Sequence, residues 1–326
     1  MKKAFFINGG AGRVLCAIPA LEYYAKNIDK DVVIIVEGWY ELMLMSKTLS
    51  SNIYPNTHKD LMKVLKNREI ITPEPYRLNA YFNQKCNLIQ AFDMLINYKT
   101  VPRKIPDTKH FNTFISKSDT LFGKDLVYQA KNALQKDKVI IFQPLGSGAE
   151  LKNGTIIDES GRSIELEDII TLTRKLAENY AIIIMGTIDI PVDGPMGAMV
   201  PSNINLLQWS SVINEADYFI GCDSVGQHLA NAVKKPSTVI IGSTFPENIS
   251  YPENKEFKII DKGAEKRIYS PIRITSDLTI ERNNESLMKM EEIEIDNIVT
   301  DIKNKLGKNN FIIMQENQQQ SCCGNC

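Results

Sequence analysis

Asp223, Ser224, Gly226 and His228 lie within six residues of one another, in the run Tyr-Phe-Ile-Gly-Cys-Asp-Ser-Val-Gly-Gln-His-Leu-Ala-Asn-Ala that starts at Tyr218. An apolar run stops at Gly221, Asp223 and Ser224 follow where a helix N-cap belongs, and an Ala- and Leu-bearing helix runs on until Pro236 closes it. The backbone N–H groups of Val225 to Gln227 would then face a cleft with the positive end of a helix dipole behind them, a setting suited to phosphate. In the first turn of that helix, the His228 imidazole could donate to a phosphate or ribose oxygen, or stay a satisfied, half-buried histidine.

A second turn of the same kind sits near the N-terminus. Ala4 to Ile7 read as a short buried strand, followed by Asn8-Gly-Gly-Ala-Gly-Arg13 and a helix opening on Val14, Leu15 and Cys16. Its glycines permit close backbone approach to a ligand, and Arg13 can fork two donors onto a phosphate or carboxylate.

The elements that must hold these turns follow from length and pattern. At 326 residues the chain exceeds the size at which one core keeps growing, so two units of roughly 150 residues are expected. In the first half, buried-type strands at Asp31–Glu37, Asn52–Tyr54 and Glu69–Thr72 alternate with helical patterns over Trp39–Thr48, Lys59–Lys66 and Asn87–Leu95. A Pro- and Lys-bearing loop spans Val101–Lys109, and a helix over Lys124–Leu134 with the Lys-rich Gln135–Lys138 bridges to the second half.

There, the strand Val139–Phe142 runs into Gln143-Pro-Leu-Gly-Ser-Gly148. A helix over Leu166–Asn179, a strand at Ala181–Met185, the apolar run Ile204–Leu206 and a helix around Gln208–Glu215 follow. The Tyr218 strand, its helix and a strand at Thr238–Ile241 complete the pattern. This alternation makes the fold class α/β, with parallel sheets covered on both faces and ligand-binding edges at the carboxyl ends of the strands. The expected units are 1–135, 136–308 and a mobile polar tail over 309–326.

The charge balance, 38 basic against 39 acidic residues, argues against a nucleic-acid partner. No basic n-region with an apolar core opens the chain and no run of about 18 apolar residues occurs, so no integral membrane segment is expected and the compartment reads as cytoplasmic. Cys16, Cys86 and Cys222 are scattered, and Cys322, Cys323 and Cys326 crowd the tail. A tail with at most three thiolates falls short of a closed tetrahedral site, so no metal is assigned, and a mobile, oxidisable or partner-binding tail is the reading. With His58, His110 and His228 as the only histidines, a histidine-based triad has little material.

Gly12-Arg-Val-Leu-Cys-Ala-Ile-Pro-Ala-Leu21 and Asp223-Ser-Val-Gly-Gln-His-Leu-Ala-Asn-Ala232, with Gly242-Ser-Thr-Phe-Pro246 after the next strand, resemble the ADP-heptose:lipopolysaccharide heptosyltransferase family of glycosyltransferases. The stretch from Leu287 through Ile295 to Leu306 resembles that family's closing helix. The resemblance implies a GT-B architecture, two Rossmann-like domains facing each other across a cleft, with a nucleoside-diphosphate sugar held by the second and the acceptor by the first. It implies inverting transfer with the nucleotide sugar as co-substrate and no separate cofactor. It puts Gly12, Asp223, Ser224, Gly226 and His228 at the donor diphosphate. Arg162 is the counterpart of a basic residue that offsets charge on the leaving group, or a surface arginine ahead of a helix.

One departure stands out. The family's first loop carries an acidic residue directly after the glycine, expected to act as base, and this chain has Arg13. Arginine cannot take the acceptor's proton at neutral pH, so another carboxylate must serve or the chemistry differs. Glu74, in Thr72-Pro-Glu-Pro-Tyr76 just past a strand end, is the candidate, and Arg13 is cast as an anion ligand. Glycan, lipid-linked and protein acceptors all stay open.

Three other classes remain in view. A nicotinamide-dependent oxidoreductase would use Gly10, Gly12 and Glu37, though Leu15 falls where its third glycine belongs. A sugar-nucleotide epimerase would share the donor site and need no acceptor, and a binding protein without catalysis would fit the loss of the acid.

Overall fold

The computed structural model describes residues 2–103, 114–152, 155–158, 160–186, 190, 197–267 and 287–309. The tail cysteines, His110 and the end of the Val101–Lys109 loop lie outside them.

The first half is β1 (Lys2–Ile7), α1 (Ala11–Asn27), β2 (Val33–Val36), α2 (Tyr40–Met43), β3 (Ile53–Pro55), α3 (Leu61–Leu65) and β4 (Arg68–Ile71). A 3-10 turn over Pro75–Arg77 then leads to α4 (Asn79–Phe82), α5 (Leu88–Ile96) and α6 (Lys117–Leu134). The strands form one parallel sheet in the order β3-β2-β1-β4, with Ala4 beside Val33 and Ile70. All four residues of β2 are buried, as expected of a parallel strand covered on both faces. Two polar caps fix helix starts. Asn87 and Gln90 form a reciprocal box at α5, and the Ser116 hydroxyl accepts from the Asp119 N–H at α6.

The second half comprises β5 (Val139–Gln143), β6 (Ala149–Lys152), β7 (Thr155–Asp158), α7 (Leu166–Ala177), β8 (Ala181–Ile184), β9 (Ala198–Met199), α8 (Leu206–Glu215), β10 (Tyr218–Cys222), α9 (Val225–Ala232), β11 (Ser237–Ile241), α10 (Pro246–Ile249), β12 (Phe257–Asp261) and α11 (Glu292–Leu306). Its main sheet is parallel, in the order β12-β11-β10-β5-β8-β9, and β6 pairs with β7 as an antiparallel hairpin beside it. Counted within each half, the orders are 3-2-1-4 and 6-5-4-1-2-3. Both are doubly wound, with reversal points between β1 and β4 and between β5 and β10.

One apolar cluster runs through both halves, from Phe5, Leu15 and Ile34 to Leu229, Ile241 and Phe257. The α6 helix, which the sequence places at the end of the first unit, packs on α8, β5 and β8. Gly123 allows this, since a Cβ there would collide with the Ser211 side chain and backbone.

Several elements differ from expectation. The helix expected over Trp39–Thr48 is a single turn at Tyr40–Met43, because the chain must then bend through Lys47–Ser51 to lay Ile53 beside Ile34. The α6 helix starts seven residues earlier than Lys124, at its Ser116 cap. The Ile204–Leu206 run is no strand, since Asn205 caps α8 and Leu206 is its first residue. The β6–β7 hairpin, β9 and β12 were not expected.

Candidate active site

Ligands of doubly wound sheets bind in the crevice at the reversal point, beyond the carboxyl ends of the strands. In this protein a side-chain contact spans each crevice. In the first sheet, Arg13 at the start of α1 reaches the loop after β4. Its Nη1 donates to Glu74 Oε1 at 2.9 Å and its Nη2 to the Pro73 carbonyl at 2.8 Å, with a longer 3.4 Å contact to Glu74 Oε2. The guanidinium is buried between the rings of Tyr76 and Phe92, 5.2 and 5.7 Å from their centroids, whereas the Glu74 side chain is 35% exposed. The cation is thus walled in, and its partner carboxylate keeps one side open to solvent.

In the second sheet, Gln143 at the end of β5 reaches the turn after β10. Its Oε1 accepts from the Gly226 N–H at 2.8 Å, and its Nε2 donates to the Ser224 hydroxyl at 3.1 Å. Of the three N–H groups at the start of α9, the middle one is therefore already engaged. A Cβ at Gly226 would collide with that same Gln143 oxygen, so glycine is what lets the amide group in.

Asp223 is buried and faces inward. One carboxylate oxygen accepts from Gln227 Nε2 and the other from the Thr244 hydroxyl, both at 2.8 Å. Arg162, in the loop between β7 and α7, reaches toward the same turn. Its Nε donates to the Ser160 hydroxyl at 2.9 Å, Nη2 to the Ser147 hydroxyl at 3.3 Å and Nη1 to the Asp223 carbonyl at a long 3.5 Å. Among the described residues these partners are all neutral, so the guanidinium keeps its charge for an incoming anion. Asp158 supports the loop from below by accepting from Ser160 and Ser163. Burial works to raise its carboxyl, but these bonds and the nearby Arg162 charge outweigh it and leave the group below the usual carboxylate range.

The two turns meet at Gly12 and His228. A Cβ at Gly12 would lie 2.7 Å from the His228 Cδ2 and 3.0 Å from its Nε2, closer than real Cβ atoms come to such a ring. The imidazole is buried, its Nδ1 is 2.7 Å from the Tyr251 hydroxyl and 3.7 Å from Cys16 Sγ. Burial lowers the His228 pKa to about 4, against an opposing pull from Asp223, so the ring is neutral near pH 7. Tyr251 lies well above the usual phenol range through burial, so its hydroxyl stays protonated beside Nδ1, while the Cδ2–Nε2 edge of the ring lies beside Gly12. A further tie crosses the halves from α10, where Asn248 Nδ2 donates to the carbonyls of Tyr81 and Cys86 at 2.9 Å each.

The structure thus gathers Asp223, Ser224, Gly226, His228 and Arg162 at one turn, touches it with Gly12, and sets Arg13 against Glu74 in the neighbouring crevice. Gln143, Thr244 and Tyr251 are the members that sequence reasoning did not single out. Gln143 could have been found, because the first residue past an apolar strand holds the same station as Asn8, Glu37 and Asp223. A depression of about 350 Å³ lined by Lys2, Asp31, Asn52 and Arg68 lies at the opposite, amino edge of the first sheet, away from both crevices.

Residues 194–268, which contain the β10 turn, match the model of glycosyltransferase family 9 (heptosyltransferase). Most of the chain superposes on solved structures of that kind at low sequence identity. The E. coli ADP-heptose lps heptosyltransferase II is 12% identical with a TM-score of 0.58, covering 97% of this chain and all of the other. The fold is the GT-B fold of the heptosyltransferases. The glycosyltransferase family 9 protein of Veillonella parvula is 11% identical with a TM-score of 0.59, over 92% of this chain and 97% of that one. The E. coli heptosyltransferase WaaC with ADP is 12% identical with a TM-score of 0.51, over 80% and 91%. No curated protein matches the chain in sequence. No helix among the described residues is long and apolar enough to cross a membrane.

Proposed function

We propose that the protein transfers a sugar from a nucleoside-diphosphate donor to a hydroxyl acceptor with inversion at the anomeric carbon. The observation that carries this reading is the Gly12–His228 contact, which brings the two strand-turn-helix elements within van der Waals distance inside a GT-B fold. In this reading the second half holds the donor and the first half the acceptor.

The diphosphate lies at the start of α9. Arg162, with the Ser147 and Ser224 hydroxyls, grips it, and the helix dipole adds to the favourable field. Asp223 serves from behind, fixing the turn through Gln227 and Thr244. Glu74 takes the proton of the acceptor hydroxyl as its oxygen attacks the anomeric carbon and the bond to the diphosphate breaks on the other side. Arg13 holds Glu74 in place and Arg162 offsets the charge that develops on the leaving group. ADP-heptose is the donor to test first, since ADP accompanies the superposed E. coli enzyme.

The test is a thermal-shift panel of ADP, UDP, GDP, CMP, NAD and NADP against the wild type and Arg162→Ala. A ligand at about 100 times its Kd adds roughly 2.7 kcal/mol, enough to raise the melting point by a few degrees. Stabilisation by one nucleoside diphosphate, weakened about tenfold or more in Arg162→Ala, is the expected result. Stabilisation by NAD or NADP alone, unchanged in the variant, would overturn the reading.

A further inference from the structure

Seven described non-glycine residues have a left-handed backbone, and Trp39 stands apart from the other six. Asn67, Gln84, Tyr98, Gln135 and Lys234 follow or cap the C-terminal ends of α3, α4, α5, α6 and α9, where this conformation is the regular way to stop a helix. Asn203 is an asparagine, the residue type that tolerates it best. Trp39 instead precedes its helix, with φ 60° and ψ 33° before α2. A bulky aromatic there is strained and does nothing for a helix start that a glycine or asparagine would not do better. The indole is 45% exposed, so the strain does not serve the core either.

Its place in the fold gives the strain a purpose. The Glu37 N–H donates to the Ile7 carbonyl, so the loop Glu37-Gly38-Trp39 runs beside the Asn8–Gly10 turn at the carboxyl edge of the first sheet. The next element, α2, touches α8 of the second half, which sets Trp39 next to a contact between the halves. Strained residues held at such an edge are characteristic of ligand sites.

We propose that Trp39 is the platform on which a neutral sugar ring of the acceptor lies, so that the acceptor is a glycan whose receiving end carries no charge. This rests on the glycosyltransferase reading and deepens it. One face of a pyranose presents C–H bonds with slight positive charge, which suits the negative face of an indole. The charged neighbours within two residues are both acidic. Glu37 is exposed and Glu41 half-buried, and carboxylates accept bonds from sugar hydroxyls while repelling a phosphate or an acidic sugar. The cation nearest in the adjacent turn, Arg13, is already held by Glu74.

The test uses the full chain with saturating ADP, and the variants Trp39→Gly and Trp39→Phe. Trp209, the second of the two tryptophans, is buried, so changes in emission on adding saccharide report Trp39. Maltotriose, chitotriose and cellotriose serve as neutral probes, with glucuronic acid and glucose 1-phosphate as anionic ones.

The expected result is a saturable emission change with at least one neutral probe and with neither anionic one. By calorimetry that probe binds Trp39→Gly at least tenfold more weakly and Trp39→Phe in between. Trp39→Gly keeps the wild-type melting point or gains up to about 3 °C as the strain is relieved. A melting point lowered by several degrees would make the indole a structural plug and overturn the proposal. So would an anionic probe that binds where neutral ones do not, or a neutral panel that gives no saturable change. Stabilisation by ADP in the same samples tests the donor reading separately. If it persists while the saccharides fail, only the platform falls.

Discussion

Arg13 and Glu74, 61 residues apart in the chain, close on each other across the crevice between β1 and β4 with Nη1 and Oε1 2.9 Å apart. The pair is asymmetric, because the cation is buried and the carboxylate is not. Removing the carboxylate strands a desolvated charge, which for a fully buried pair costs about 3–5 kcal/mol. With Glu74 partly exposed the cost falls to about 1–3 kcal/mol. Glu74→Ala is therefore expected to lower the unfolding free energy read from urea denaturation by that amount, and Glu74→Gln by less, since an amide oxygen still accepts from Nη1. Both are expected to lower kcat for sugar transfer by about 10²–10⁴, the range for loss of a general base, with donor affinity unchanged by calorimetry.

Gly12→Ala tests the contact between the halves. The added methyl meets the Cδ2–Nε2 edge of a buried imidazole, so the two elements must separate or the ring must turn. Overpacking of this kind costs about 1–3 kcal/mol. A lower urea midpoint is expected, together with weaker ADP stabilisation in a thermal shift. An unchanged midpoint would show that the two turns are not in contact.

Gln143 gives a prediction with opposite signs. Gln143→Glu keeps an oxygen near the Gly226 N–H and adds a negative charge at the start of α9, which favours the empty protein by about 0.3–1 kcal/mol. The same charge opposes a diphosphate at that turn, so ADP affinity is expected to fall about tenfold or more, about 1.4 kcal/mol. Gln143→Ala leaves Gly226 unpaired and is expected to destabilise by about 1–3 kcal/mol. Denaturation and calorimetry on the two variants read both signs.

His228 sets a pH dependence. Its folded pKa of about 4 lies below the ordinary value of 6.5, so between these the unfolded chain takes up a proton that the folded chain does not. Its effect on stability is therefore absent above about pH 6.5, grows as a loss while pH falls from there to about 4, and levels off below. The loss amounts to about 3 kcal/mol. Asp223, Tyr251 and Cys16 face the ring. Tyr251 and Cys16 stay protonated throughout, so the slope in this window belongs to the imidazole and to carboxylates elsewhere. Urea midpoints for His228→Gln across pH 4–7 should show a flatter profile than the wild type.

The strands and the two strand-turn-helix elements are legible in the sequence because they announce themselves locally. Val32–Val36 and Val139–Phe142 are apolar runs bounded by polar residues, and Ser224 takes the N-cap position ahead of a helical pattern, though its side chain makes no cap bond and Gln143 serves the Gly226 N–H instead. The length of α6 was not read because Gly123 interrupts the pattern, and only its packing on Ser211 explains why a glycine belongs there. The β6–β7 hairpin was missed although Asn153-Gly154 in the sequence is a hairpin signal. The partners across each crevice were out of reach, since nothing near Arg13 in the chain points to Glu74, and the strand order decides that they meet. Gln143 heads a glycine loop in the sequence, and its bond to Gly226 depends on β5 lying beside β10.

The packing of α6 bears on how the molecule can be divided. The helix precedes β5 in the chain, yet Leu126, Val127 and Ala130 fill the surface of the second sheet alongside Val212 and Ile213 of α8. A second half cut at residue 136 would leave that apolar surface bare to water and should aggregate on expression. A half that begins at Ser116 carries its own cover. Anyone grafting the second half onto another first half must therefore move the helix with it.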